Sequence, residues 1–193
     1  MKEGSGTASS LLWEVKRLLD ETEELPDVLL MENVPMVHSA DNMPLFQKWL
    51  DYLTSKGYSS FWDDLNAKNY GIPQSRDRCF CISVLGEYAY KFPSPIPLTQ
   101  VMKDYLEDEV DEKYYLKSEK AQNLIDKLIS GNTILTNERT NERTNERTTV
   151  DLCLKRPRRT TIANCITARV DCGISNQQSF GNGVLESWSQ NDE

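Results

Sequence analysis

Hydrophobic positions near the start of the chain recur at the spacing of an amphipathic helix. This helix is predicted to begin after Ser9 or Ser10, because either hydroxyl group can cap its first turn. The next apolar stretch, residues 27–31, is short and continuous, a pattern typical of a strand buried in a parallel sheet. The apolar face of the helix consists of Leu11, Leu12, Val15, Leu18 and Leu19.

A second helix with one apolar face follows this strand. It is predicted to begin near Asn42, with Pro44 in its first turn, and to end at Gly57. Two strand-like stretches come next, residues 58–65 and 78–85. The order helix, strand, helix, strand, strand is typical of the second half of an α/β sheet. The apolar face of the second helix consists of Leu45, Phe46, Trp49, Leu50 and Leu53.

The later part of the chain changes in composition. Residues 100–130 are acidic and favour helix, whereas residues 136–149 contain Asn-Glu-Arg-Thr three times in tandem. Each repeat is neutral in charge and includes poor helix formers, so the stretch is interpreted as a solvated linker. An interaction tag is the less favoured alternative. Residues 155–184 are basic and rich in Thr and Asn, and they are too short to form their own core.

Composition narrows the class of protein. The chain has 193 residues, 38% of them hydrophobic, which suits one domain or one domain plus part of another. The net charge of −8 lies in residues 1–149, because residues 150–193 carry five basic and five acidic side chains. An acidic surface disfavours non-specific nucleic-acid binding but leaves room for a focused basic site. No apolar run approaches the roughly 20 residues of a membrane span, so a soluble, cytoplasmic protein is expected.

The five cysteines do not have the spacing of a metal site. The sequence contains no CxxC pair, and His38 is its single histidine, so no zinc or other metal site is expected. An odd number of cysteines without a secretion signal indicates reduced thiols. Cys79 and Cys81 alternate along a strand-like stretch, which predicts that both side chains lie on its buried face.

The first chemical motif is a carboxylate that directly follows the predicted buried strand. Glu32 begins the stretch Glu32-Asn33-Val34-Pro35. Ligands of open α/β sheets bind beyond the carboxyl ends of the strands, which is where Glu32 is expected to lie. A partly desolvated carboxyl group there can stay protonated and donate a hydrogen bond to a ring nitrogen. The alternative is that Glu32 only caps the following turn.

The second chemical motif leads into the last predicted strand of this region. It runs from Asn66 to Arg78 and includes Gly71-Ile72-Pro73-Gln74. Arg76 and Arg78 alternate along the chain, so both guanidinium groups are expected on one face. Two such groups suit phosphate oxygens and the carbonyl group of a base. The alternative is a solvated strand edge with surface arginines.

Together these two motifs resemble the DNA (cytosine-5)-methyltransferase family. Residues 32–34 are similar to its Glu-Asn-Val motif, and residues 71–78 are similar to its Gln-x-Arg-x-Arg motif. The helix at residues 9–15 and the segment 92–104 resemble the flanking parts of the family, and residues 162–176 resemble the start of its target-recognition region. The resemblance covers nearly the whole chain except the repeat.

The resemblance implies a fold and a domain organisation. The fold would be α/β, the second half of a Rossmann-like S-adenosylmethionine-dependent methyltransferase sheet followed by the start of a small irregular target-recognition region. Residues 1–98 would be a partial catalytic domain, 99–135 an acidic helical extension, 136–149 the repeat linker and 150–193 the beginning of the target-recognition region.

The resemblance also implies an activity, the transfer of a methyl group from S-adenosylmethionine to C5 of a cytosine that is flipped out of double-stranded DNA. Glu32 would bind the base at N3 and the exocyclic amine, Arg78 would hold the base carbonyl, and Arg76 would support the backbone and the loop. The residues implied at the adenosyl pocket are Ser9, Ser10 and Leu11. Those implied at the DNA are Gln74, Arg76, Arg78, Thr167 and Arg169.

Two family motifs have no counterpart in these residues. None of the five cysteines follows a proline, as the family's nucleophile does, and no strand precedes Gly4-Ser5-Gly6 to make a Gly-rich cofactor turn. Three interpretations therefore remain open. The chain is one part of a split enzyme whose complementary polypeptide carries the missing motifs, an inactive remnant of a methyltransferase gene, or a non-catalytic DNA-binding subunit. The acidic charge makes the third the least favoured.

Overall fold

A computed structural model describes residues 11–115, 117–131, 147–152, 158–164 and 182–186. The chain divides into two compact units. The first unit contains the described residues of Met1–Asn66 together with Asp77–Ser94, and the second contains those of Ala67–Arg76 and Pro95–Glu193. Within the described part of the chain, no helix combines the length and the apolar character needed to cross a membrane.

The elements of the described residues follow the predicted order. In the first unit they are α1 (Leu11–Glu21), β1 (Val28–Asn33), a 3-10 helix (Pro35–His38), α2 (Met43–Ser55) and β2 (Tyr58–Asn66). After β3 (Gln74–Ser75) of the second unit, the chain returns to the first unit with β4 (Asp77–Leu85). The remaining elements of the second unit include α3 (Glu119–Ser130), β5 (Arg147–Asp151), β6 (Ala163–Asn164) and β7 (Asn182–Glu186).

Strand β4 lies in the middle of the three-stranded sheet of the first unit and pairs antiparallel with β1 on one side and with β2 on the other. Because both neighbours oppose β4, β1 and β2 run in the same direction, and α2 connects them. The predicted order helix, strand, helix, strand, strand is confirmed. The carboxyl ends of β1 and β2 therefore lie beside the amino end of β4, at the same end of the sheet.

Helices α1 and α2 cover one face of this sheet. The core there joins residues of both helices to side chains of β2 and β4, and the predicted burial of Cys79 and Cys81 on this face is confirmed. Both cysteines are free thiols. The buried residues of the core are Leu19, Val37, Phe46, Trp49, Leu53, Tyr58 and Cys79.

The opposite face of the sheet, here called the open face, carries exposed apolar side chains. Val28 and Leu30 of β1 are 54% and 66% exposed. The expectation that residues 27–31 form a strand buried on both faces in a parallel pair is wrong for the described residues, since β1 alternates between exposed and half-buried positions and pairs antiparallel. A continuous apolar run is typical of a strand covered on both faces, so Val28 and Leu30 leave an exposed apolar surface on this side of the described sheet.

The described residues of the second unit contain two short strand pairs. β3 pairs with β6 in parallel, and β5 pairs with β7 antiparallel. Helix α3, capped by the side chain of Ser118, buries Leu124 and Leu128 with Val150 of β5. The interpretation of 136–149 as solvated linker needs correction at its end, because Arg147–Asp151 form β5 and Thr149 is buried. Residues 132–146 lie outside the described residues.

Two tyrosines of the first unit, the buried Tyr58 and the half-buried Tyr52, predict a loss of stability in alkaline solution. Burial, together with a hydrogen bond to Asp20, raises the pKa of Tyr52 to about 12, and burial raises the pKa of Tyr58 above its usual value. Both pKa values are higher in the folded than in the unfolded chain, so their stabilising effect is full below about pH 10, where unfolded tyrosine titrates, and is lost as the pH rises towards 12. Urea unfolding at a series of pH values checks this. In Tyr52→Phe we expect a shallower alkaline decline, and in Tyr88→Phe, at an exposed position, an unchanged one. An equal decline in all three proteins would contradict the prediction.

Candidate active site

The two chemical motifs lie together at the end of the sheet where β1 and β2 end and β4 begins. Glu32 is the next-to-last residue of β1, and Arg78 is the second residue of β4. The Arg78 Nε atom lies 2.8 Å from Glu32 Oε1, so the two side chains form an ion pair. Arg78 Nη1 also donates a hydrogen bond to the carbonyl oxygen of Asp77 at 2.6 Å. The guanidinium group is therefore held on two sides.

The strand register explains why these two side chains meet. Glu32 lies opposite Phe80, which is two residues after Arg78 on the same face of β4. Side chains that alternate along a strand share a face at every second position, so Glu32 and Arg78 both project from the open face. The carboxylate is half-exposed and the guanidinium is largely buried. The pair can thus present a carboxyl group and a planar donor to a ligand on this face.

The turn after Glu32 is ordered by its own residues. The Asn33 Oδ1 atom accepts a hydrogen bond from the Val34 backbone amide at 2.8 Å, and Pro35 begins the 3-10 helix that ends at His38. Proline suits the first turn of a helix because its missing N–H group has no partner there in any case. The side chain shown bound to the backbone of this turn is that of Asn33, and the shown ion pair of Glu32 is with Arg78.

The second motif begins at a tie between β2 and β4. Asn66 is buried at the end of β2, and its Nδ2 group donates to Asp77 Oδ1 at 2.7 Å. Between them, the Ala67 amide donates to the Arg76 carbonyl oxygen at 3.1 Å. Gly71 has a φ of +84°, a left-handed conformation that glycine adopts without strain. The spacing from Asn66 to Arg78 thus corresponds to a closed loop between two strands.

The other predicted site residues are placed only in part. Gln74 lies in β3, where it is half-buried and pairs with Ala163 of β6. Arg76 precedes β4 and belongs with Gln74 to the second unit, so its sharing of a face with Arg78 stays a prediction. Leu11 is the first residue of α1. Ser9, Ser10, Thr167 and Arg169 lie outside the described residues.

The structure also brings together three potential metal ligands that sequence reasoning did not connect. His38, Asp64 and Cys79 each offer a ligand atom, and these atoms all lie within 4.8 Å of one another. They come from the 3-10 helix, from β2 and from β4. No spacing in the sequence signals such a set. The sequence offers one weak signal: Asp64 lies two residues after Trp62 and therefore on the same face of β2. The structure places Asp64 directly opposite Cys79.

Comparison with known proteins first defines the class of fold. A solved structure of the Entamoeba histolytica methyltransferase EhMeth matches with a TM-score of 0.57 and 17% identity, over 86% of this chain and 43% of that chain. At this identity the likeness shows the fold alone. The α/β fold of this chain is thus similar to part of the fold of that protein.

Sequence relatives then specify the family. The type II methyltransferase M2.ScrFI of Lactococcus lactis is 44% identical over 62% of this chain and 33% of its own length. The orphan methyltransferase M.SssI of Spiroplasma monobiae is 40% identical over 64% of this chain and 32% of its own length. Residues 1–184 match the C-5 cytosine-specific DNA methylases, and the chain belongs to that family. It spans about a third of the length of the curated relatives that it matches.

Proposed function

We propose that this chain supplies the base-binding part of a DNA cytosine C5 methyltransferase. The observation that carries the proposal is the ion pair between Glu32 and Arg78 at the carboxyl end of β1. The Arg78 Nε atom lies 2.8 Å from Glu32 Oε1. Family membership supports it, since the two residues stand within the two motifs that resemble those of the family. The substrate is double-stranded DNA, from which one cytosine is flipped into the site.

Glu32 and Arg78 have complementary tasks towards the flipped base. The Glu32 carboxyl group binds the ring at N3 and the exocyclic amine, and Arg78 donates to the base carbonyl oxygen. When a thiolate adds to C6, electrons move towards N3, and the Glu32 carboxyl group, which takes up a proton from solvent when the base binds, donates that proton to N3. This makes C5 nucleophilic enough to accept a methyl group. Arg76 supports the loop, and Gln74, Thr167 and Arg169 contact the DNA.

The methyl donor is S-adenosylmethionine, which would supply an electrophilic methyl group when bound. Its adenosyl part is proposed to lie at Ser9, Ser10 and Leu11. Of these three, only the backbone of Leu11, at the start of α1, is among the described residues. The steps assigned to this chain therefore concern the base.

The nucleophile is proposed to come from outside these 193 residues. Cys79 is completely buried, and burial with the neighbouring carboxylate of Asp64 raises the pKa of its thiol to about 12. Cys81 is buried as well, and burial raises the pKa of its thiol. A protonated, inaccessible thiol is a poor nucleophile. Cys153, Cys165 and Cys172 do not follow a proline, as the family's nucleophile does. A complementary polypeptide or segment would supply the Pro-Cys motif and the Gly-rich turn.

The test is methyl transfer from labelled S-adenosylmethionine to cytosine-containing duplex DNA. We expect no transfer by the chain alone and transfer when the polypeptide encoded next to it is added. Transfer by the chain alone would contradict the external nucleophile. An inactive mixture of two folded proteins would contradict the enzymatic proposal, and DNA binding by that mixture would then distinguish a non-catalytic subunit from an inactive remnant.

A further inference from the structure

Three side chains that commonly bind metals converge on the covered face of the sheet. His38 ends the 3-10 helix that follows the Glu32 motif, Asp64 lies near the end of β2, and Cys79 lies near the start of β4. Asp64 and Cys79 are directly opposite each other in the strand register, so their side chains leave the sheet on the same side. The His38 Nε2 atom is 2.9 Å from both carboxylate oxygens of Asp64.

The size of this cluster suits a small divalent cation. In a tetrahedral zinc site with bond lengths of about 2.0–2.3 Å, neighbouring ligand atoms are about 3.3–3.6 Å apart. One nitrogen, one oxygen and one sulfur atom already lie within 4.8 Å of one another here. The widest of these separations would have to shorten by about 1 Å to reach the spacing of zinc ligands. Imidazole and thiolate ligands favour Zn²⁺ over Mg²⁺ and Ca²⁺, which prefer oxygen ligands alone.

The cluster is buried on the side of Cys79 and open to solvent on the side of His38 and Asp64. Cys79 is completely buried, whereas the side chains of His38 and Asp64 are 23% and 36% exposed. A cation can therefore enter from the solvent side, where a water molecule can occupy a fourth position. The Trp62 ring lies 4.9 Å from the His38 ring at 33°, and Phe46 contacts Trp62 edge-on. This packing limits the rotation of the imidazole.

We infer that His38, Asp64 and Cys79 form a Zn²⁺ site with one position open to water. In the strand register Cys79 lies between Asn33 of β1 and Asp64 of β2. The bound ion joins the 3-10 helix to both neighbouring strands, and so it fixes the turn that follows Glu32. On binding, the Cys79 thiol loses its proton to solvent, and the hydrogen bonds within the cluster are replaced by bonds to the metal. The site does not depend on the proposed methyl transfer.

Zinc titration of the purified 193-residue chain tests this inference. With a chromogenic zinc indicator as competitor, we expect one Zn²⁺ per chain, and we expect His38→Gln, Asp64→Asn and Cys79→Ser each to weaken it at least tenfold. Zinc should raise the Tm of the wild-type chain and leave that of the three variants unchanged. With Co²⁺, a thiolate-to-metal charge-transfer band should appear in the wild type and be lost in Cys79→Ser.

Two neighbouring positions offer matched controls. Asp63 is also an acidic residue of β2 but points to the open face, and Cys81 is also a buried thiol of β4, two residues from Cys79. Asp63→Asn and Cys81→Ser should bind zinc like the wild type. Far-UV circular dichroism before metal addition verifies that each variant is folded. A wild-type Kd weaker than about 100 μM, or unchanged binding in folded Cys79→Ser and Asp64→Asn, would overturn the inference and leave a hydrogen-bonded His–Asp pair.

Discussion

Replacing Glu32 with glutamine should reduce methyl transfer by the complete enzyme about a hundredfold to a thousandfold, with little change in stability. The amide keeps the size of the side chain but cannot deliver a proton to N3, and it loses the charge that orients Arg78. Removal of one group that stabilises charge developing in a transition state typically costs that much rate. The complete enzyme here means this chain together with the segment that carries the nucleophile.

Asp63 provides the control for this substitution. Like Glu32, it lies directly opposite Phe80 on the open face, but it is on the other side of β4. Asp63→Asn should therefore leave single-turnover methyl transfer unchanged, while Arg78→Lys should lower it, because a lysine cannot form the same forked contacts. The Glu32 carboxylate is half-exposed, and the amide oxygen of glutamine can still accept a hydrogen bond from Arg78, so Glu32→Gln should lower the free energy of unfolding by no more than about 1 kcal/mol. If folded Glu32→Gln keeps more than half of the wild-type rate, the role assigned to Glu32 is contradicted.

Replacing Phe46 with alanine should lower the free energy of unfolding of the first unit by about 3–5 kcal/mol. Phe46 is completely buried in the core beneath the sheet, and it contacts the Trp62 ring edge-on. The truncation removes apolar contacts and leaves a cavity between α2 and the sheet, which these elements can fill only in part. Because many domains are stable by only about 5–15 kcal/mol, the variant should be close to unfolded. Urea denaturation followed by tryptophan fluorescence measures the change.

Leu30 offers a matched control in the same unit. It is a large apolar residue of β1, but it lies on the open face and is 66% exposed. Leu30→Ala should therefore change the free energy of unfolding by no more than about 0.5 kcal/mol. Equal losses in the two variants would show that the helix-covered core does not dominate the stability of this unit.

Much of the first unit can be predicted from local patterns. The apolar face of α2, its end before Gly57 and the alternation that buries Cys79 and Cys81 all follow from helical or strand periodicity. The exposure of Leu30 did not follow from the local pattern, because a continuous apolar run is typical of a strand covered on both faces. The strand that begins at Arg147, within the tandem repeat, was missed because its pairing with β7 is a contact between residues distant in sequence.

The sequence by itself determined the order of the helices and strands, the positions of Glu32 and Arg78 at strand ends, and the resemblance to one enzyme family. These features depend on residues close together in the chain. Only the tertiary structure decided that β4 lies between β1 and β2, because strand order is set by long-range contacts and register. That order forms the ion pair of Glu32 with Arg78. It also joins His38, Asp64 and Cys79, which no local spacing connects.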